Sequence, residues 1–374
     1  MKKTAHFFFM VLLIGAQVIT SCKKESTDYD NLSAAKILTP KVKAKLEAMA
    51  DSVFPKTYAP GIIALLSVEG EPDYIIKRGT SNLTTNEPMH ENNSFRIASV
   101  TKTFTGTAVM MLADEGLIHL DSAISVYLPE YHIPSGDIIT VRMLGNMRSG
   151  LFNYSDDPEF WEPFIASGYT LEFPPDSLLA ASFRHPLNFP PGTAYEYCNT
   201  NTVLLGVLLE KITGKPAADV IREKVTAPLN LTRTYLGGPF YMNTPYTHGY
   251  TIRDEGMLNT TNWNPSWGYT AGAMVSNLAD MKKWARYLAD GALLSEAMKT
   301  ERFNFGSDNY GFCVESAKYK KELWVGHPGT MPGFNTQVWY NSARKTTLIV
   351  VANCDTGIPA QSFMIATIVL LANL

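Results

Sequence analysis

The sequence predicts an α/β fold: an antiparallel sheet flanked by helices, with a mostly helical subdomain inserted between its two halves. Three observations carry this. Runs of strand composition lie early, at residues 61–68 and 73–77, and again late, at 334–340 and 346–351, while helical periodicity fills the middle. The stretch 151–191, with Phe152, Tyr154, Phe160, Trp161, Phe164 and Phe173, is too long and too aromatic for a simple connector and predicts loops flanking a pocket. An order of strand, helix, strand places a cleft where sheet meets insertion, a usual position for a ligand site.

The elements follow in order. An N-terminal helix precedes the first hairpin, which turns across Glu69-Gly70-Glu71-Pro72. From 100 to 115, Phe104, Ala108, Met111 and Leu112 share one helical face, and Gly116 stops the helix. Further helices are expected over 201–212, ended by Gly214, and over 278–288, with Trp284 and Leu288 turned inward; the insertion spans about residues 105–300. The last two strands join across 341–344. The apolar tail 363–374 is shorter than the roughly 18 to 20 residues that span a bilayer, and it contains Thr367 and Asn373, so it reads as a helix packed on the core.

With 374 residues, 45% of them apolar and 18% charged, the chain is long enough for several layers around a core. Lys and Arg number 32 against 35 Asp and Glu, a formal charge of -3 without basic blocks, so nucleic acid is not an expected partner. Lys2 and Lys3 precede an apolar run over 7–19, the pattern of an export signal. The run ends in Ile19-Thr20-Ser21-Cys22, which resembles a bacterial lipobox. The expected organisation is a signal over 1–21, a polar tether over 22–35 lipidated at Cys22 and held at the bacterial cell envelope, and a folded body over 36–374. The other cysteines, Cys198, Cys313 and Cys354, are odd in number and unevenly spaced, which argues against a disulfide framework. The histidines are scattered and no H-E-x-x-H occurs, so neither a metal nor another cofactor is expected.

Three short patterns carry the chemistry. Ser99-Val100-Thr101-Lys102 opens the 100–115 helix, where residues three apart are neighbours on one face. A serine hydroxyl attacks poorly without an adjacent base, and a lysine serves as one when burial lowers its pKa. Ser21-x-x-Lys24 and Ser342-x-x-Lys345 show that the spacing alone says little. The second pattern, Tyr197-Cys198-Asn199, stands ahead of the 201–212 helix; a phenol beside an ammonium shuttles a proton, and the Asn199 amide orients Lys102 and a substrate carbonyl. The third, His327-Pro328-Gly329-Thr330, precedes the 334–340 strand. There Gly329 is expected to let a substrate backbone approach, His327 to supply a donor or a cation, and the Thr330 N–H to form half of an oxyanion hole.

Taken together, S-x-x-K, Y-x-N and H-x-G in this chain order resemble the penicillin-recognising serine hydrolases: D,D-carboxypeptidases, class C β-lactamases, and related esterases and D-amino-acid peptidases. Flanking stretches are similar too, over 95–102, 192–206, 271–276 and 326–334. The resemblance implies a β-lactamase/transpeptidase-like fold and acyl transfer through Ser99. Lys102 and Tyr197 are implied as the proton-transfer pair, with the choice of resting base open, and Asn199, His327, Gly329 and Thr330 as substrate-binding residues. The implied partner is a small peptide, β-lactam or ester. The pattern departs from many relatives where His327 replaces lysine, Pro328 replaces a hydroxyl-bearing threonine, and Asn146 replaces histidine. No E-x-x-L-N motif exists to support a glutamate-activated deacylating water. The leading expectation is a D,D-carboxypeptidase-like enzyme acting on D-amino-acid peptides of the cell wall. An esterase or class C-type β-lactamase, and a non-catalytic wall- or partner-binding module, are the alternatives.

Overall fold

The computed structural model describes residues 36–237 and 242–374. The signal, the tether and Cys22 lie outside the described residues. Lys36–Leu374 forms one compact unit.

Helix α1 (Pro40–Val53) starts where the Thr39 side chain accepts from the Val42 N–H and Pro40 takes the first helical position, which needs no donor. Strands β1 (Gly61–Val68), β2 (Tyr74–Asn82) and β3 (Glu87–Pro88) form one half of the sheet. The other half is β4 (Tyr310–Gly311), β5 (Val314–Tyr319), β6 (Glu322–Met331), β7 (Phe334–Asn341) and β8 (Thr346–Ala352). Their spatial order is β3-β2-β1-β8-β7-β6-β5-β4. The seam is the antiparallel β1–β8 pairing, with Ile63 opposite Val351 and Leu65 opposite Ile349, so the first and last strands of the body meet at the centre of the sheet.

Both faces of this sheet are covered, which is why β1 reads as an unbroken apolar run rather than an alternation. Ile62, Ala64 and Leu66 pack with α1 and with the last helix, α5 (Pro359–Leu371). Ile63 and Leu65 point the other way, into the helical block. At the centre of that block is α2 (Thr101–Asp114), whose residues Thr101 to Met110 are all buried. It packs against α3 (Asn199–Thr213), which ends at Gly214 with φ 67°, and against the short helix Tyr269–Gly272. Helix α4 (Leu278–Asp290) begins where Asn277 accepts from the Asp280 N–H and stacks Trp284 on Phe104 of α2, with ring centroids 4.0 Å apart.

Several boundaries differ from the sequence expectation. The tail helix begins at Pro359, four residues earlier than expected, and Asn199 is the first residue of α3 rather than part of the preceding loop. The largest difference is β6: the H-x-G stretch, expected only to precede the 334–340 strand, itself lies within a ten-residue strand. Gly326, Pro328 and Gly329 hide that strand, since both residue types are depleted in strand interiors. The 151–191 stretch is not wholly loop; it holds two short helices, Pro158–Ala166 and Pro175–Phe183.

Candidate active site

Ser99 sits in a single 3-10 turn, Ala98–Val100, immediately before α2. Ala98 has φ 47°, a left-handed conformation that costs an alanine energy and persists only where the surroundings enforce it. What enforces it is β6. A Cβ built on Gly329 would lie 3.0 Å from the Ser99 backbone nitrogen and 3.1 Å from the Ala98 Cβ, and would run into the Ile97 carbonyl. The space freed by the missing Gly329 side chain is therefore occupied by the serine turn itself. Gly329→Ala should push the turn off the strand, lowering turnover by about 100-fold and destabilising the fold by about 2 kcal/mol; single-turnover kinetics and thermal melting would check both. Wild-type values for both would refute this packing role.

Lys102, one turn into α2, is fully buried and places Nζ 3.1 Å from Ser99 Oγ, 2.7 Å from Asn199 Oδ1 and 2.8 Å from the Ala271 carbonyl oxygen. Burial pulls its pKa down from the usual lysine value to about 7. A neutral amine has two N–H groups and one lone pair. Asn199 Oδ1 and the Ala271 carbonyl have no hydrogen to give, so they take the two N–H groups and leave the lone pair facing the Ser99 hydroxyl.

Tyr197 closes the other side. Its ring centroid is 4.8 Å from Lys102 Nζ. Its hydroxyl is buried with no hydrogen-bond partner among the described residues at ordinary distance, although it lies near enough to Ser99 for the serine to favour ionisation slightly. Burial dominates and raises the phenol well above its ordinary pKa. Burial thus favours the protonated phenol and the neutral amine at rest, the direction that suits Lys102 as the base.

His327, on β6, is buried against Tyr197 and Tyr310, with ring centroids 6.1 and 5.8 Å away. Nδ1 lies 2.6 Å from the Pro328 carbonyl, which accepts its proton, so Nε2 accepts from the Tyr310 hydroxyl at 3.2 Å. Burial, and then the nearby Lys102 charge, push the imidazole down to about 3. His327 is a neutral, fixed group here and not a cation. Glu315 of β5 brings Oε1 to 3.9 Å from His327 Nε2; with a neutral imidazole this is proximity rather than an ion pair. The surrounding protein raises its carboxyl above the usual range, tempered by the 28% of its side chain that stays accessible.

Thr330 flanks the serine from the strand side. Its Oγ1 accepts from Asn335 Nδ2 at 2.8 Å, and the Asn335 Oδ1 in turn accepts the Ala360 N–H at 2.9 Å at the start of α5. Beside Ser99 lies a cavity of about 30 Å³, room for about one water. Ser99, Asn199, Thr330, Tyr154, Trp267 and Met331 are among its walls. Tyr154 donates to the Trp267 carbonyl at 2.6 Å, and Trp161 meets Trp267 edge-on at 5.1 Å, so part of the 151–191 stretch does wall the cleft.

The structure brings together Ser99, Lys102, Tyr197, Asn199, His327, Gly329 and Thr330. It adds residues that the sequence reading missed. Asn153 Oδ1 accepts the Asn199 N–H and Ser155 Oγ accepts from Asn199 Nδ2, both at 3.1 Å, so two loop residues orient the asparagine that holds Lys102. No short pattern marks them. Tyr310 and Glu315 lie in short strands that sequence analysis did not separate. Cys198 is a buried filler, its Sγ 3.3 Å from the Leu151 carbonyl and its thiol pushed up to about 11. Among the described residues, no group of three or more His, Cys, Asp or Glu side chains is arranged to hold a metal.

A serine paired with a buried amine, beside a buried phenol and against the unpaired edge of an antiparallel strand, is the arrangement that makes a serine hydroxyl nucleophilic. The chain belongs to the Beta-lactamase family, whose model matches residues 42–373. It is 28% identical over 341 residues to the D-aminopeptidase of Brucella anthropi, covering 87% of this chain and 62% of that protein. It therefore spans less than two thirds of that relative's length. The D-stereospecific amidohydrolase from Streptomyces sp. superposes with a TM-score of 0.77 at 27% identity, covering 87% of this chain and 97% of that one. The D-amino acid amidase from Ochrobactrum anthropi SV3, complexed with L-phenylalanine, gives 0.77 at 26% identity, covering 89% and 99%.

Proposed function

We propose that this serine hydrolase cleaves amides of D-amino acids, acting as a D-stereospecific amidase or aminopeptidase rather than as a D,D-carboxypeptidase. The observation that carries the choice is the chemistry of residues 327 and 328. A carboxypeptidase must hold a substrate carboxylate beside the scissile bond, which calls for a cation or hydroxyl on the strand. Here His327 is neutral and committed to Tyr310 and the Pro328 carbonyl, and Pro328 has neither N–H nor hydroxyl. The strand therefore suits a leaving group without a carboxylate. The names of the related enzymes supply the D-stereochemistry.

In this reading Ser99 Oγ attacks the amide carbonyl as its proton passes to Lys102 Nζ. The backbone N–H groups of Ser99 and Thr330 hold the oxyanion, and Tyr197 gives its proton to the departing nitrogen before recovering one through Lys102. Water then releases the acyl group. The test compares D-alaninamide, L-alaninamide and an N-acylated D-alanyl-D-alanine peptide. The D-amide should show a kcat/KM about tenfold or more above either of the others. Cleavage of the acylated peptide alone would restore the carboxypeptidase reading.

Export and lipid anchoring through Cys22 belong to the same proposal and rest on the signal-like leader. Labelled palmitate should enter the wild type and not Cys22→Ser; labelling of both would remove the anchor from the proposal.

A further inference from the structure

We propose that Glu315 makes the leaving-group side of this cleft selective for positive charge, so that the preferred substrates carry a cation just beyond the scissile bond. This rests on the amidase reading above and names the substrate class that it takes. The argument begins with the ladder. Strand β5 pairs with β6 from Tyr319 opposite Glu322 as far as Glu315 opposite Gly326. Beyond that rung β5 turns away to pair with β4, and among the described residues, 327–331 of β6 keep only β7 as a strand partner. Pro328, which has no N–H to donate, is tolerated there because strand prolines need a side without a partner.

The free edge over 327–331 is thus a template for an extended substrate, and Ser99 and Thr330 fix where the scissile carbonyl lies along it. A substrate pairing antiparallel to β6 runs against the chain direction. Its groups beyond the scissile bond pass Pro328 and His327 and arrive at the rung where β5 ends, which is Glu315. The carboxylate waits at that end, 3.9 Å from His327 Nε2 and with 28% of its side chain accessible. Among the described residues it makes no hydrogen bond and no close ion pair with an arginine or lysine. Burial raises its pKa to about 7 against the opposing pull of Lys102, so it carries its charge above neutral pH, where the imidazole beside it does not satisfy that charge. Arg148, which acts on neighbouring Tyr195, is already paired with Asp308. A carboxylate left this way attracts an ammonium or guanidinium and repels a substrate carboxylate.

Three substrates with one acyl group read this directly: the D-alanyl amide of 1,2-diaminoethane (cationic leaving group), D-alanyl-propylamide (neutral) and D-alanyl-D-alanine (anionic). The wild type should prefer the cationic over the neutral substrate by about tenfold in kcat/KM, with the anionic one slowest. Glu315→Gln, nearly isosteric, should bring the cationic-to-neutral ratio of kcat/KM close to one. Glu315→Lys should invert the order of the charged pair. Equal cationic-to-neutral ratios in the wild type and Glu315→Gln would overturn the assignment while leaving the amidase reading intact. Failure to cleave any of the three, by enzyme whose Ser99 is still acylated by an aryl ester, would overturn the amidase reading and this assignment with it.

Discussion

Ser99→Ala is expected to lower hydrolysis of the proposed D-amino-acid amide substrate by about 10⁵-fold and to abolish any covalent acyl adduct in intact-mass analysis, with substrate affinity within a few-fold of wild type. The size follows from the site's construction. Lys102, Tyr197 and Asn199 act only through the hydroxyl they surround, so removing it silences all of them together, and what persists is binding and oxyanion stabilisation. Alanine retains the Cβ and leaves the Ala98–Val100 turn in place. A variant that kept its adduct or its turnover would place the nucleophile elsewhere. A Ser99→Ala variant that kept its biological role untouched would instead favour a binding module.

Lys102→Met is the second large effect, about 10³- to 10⁴-fold on kcat, because an apolar chain of similar length fills the space without supplying a base. Its pH behaviour is the sharper readout. The wild-type amine must be neutral to take the serine proton, so kcat/KM rises with pH, tenfold per unit, through about 7 and then levels off. Stability moves the same way. The native pKa near 7 lies below the ordinary lysine value of about 10.4, so between those values the unfolded chain binds the extra proton, and stability rises with pH across that window. Lys102→Met should flatten both dependences. A wild-type rate that falls as pH rises from 6 to 8 would exclude a neutral Lys102 as the base.

The sequence carried the reacting groups and not their supports. Spacing joins Ser99 to Lys102 within one helical turn and Tyr197 to Asn199 at the mouth of α3, but the expectation that the two pairs meet came from the family resemblance. Asn153 and Ser155 become visible only after folding, since each acts on Asn199 from more than forty residues away. The central strands were legible because β1 and β8 are largely apolar on both faces, and β7, though it carries Asn335, Thr336 and Gln337, contains the β-branched and aromatic run Val338-Trp339-Tyr340. The outer strands were not: β5 and β6 mix Glu, Lys, Gly and Pro with apolar residues, and they hold only because neighbouring strands and the helical block complete them. Glu315 went unseen for the same reason. Its meaning depends on the rung at which β5 leaves β6, and no local pattern encodes that rung.

Asn335 has a consequence for how the protein is handled. One of its amide ends grips the Thr330 hydroxyl, and the other receives the first turn of α5. Deleting the chain from Pro359 onward would therefore do more than strip a lid from the back of the sheet; it would free the threonine whose N–H meets the forming negative oxygen. A shortened protein that still folded would bind its substrate and stall, with the defect in chemistry traceable to a segment on the opposite face.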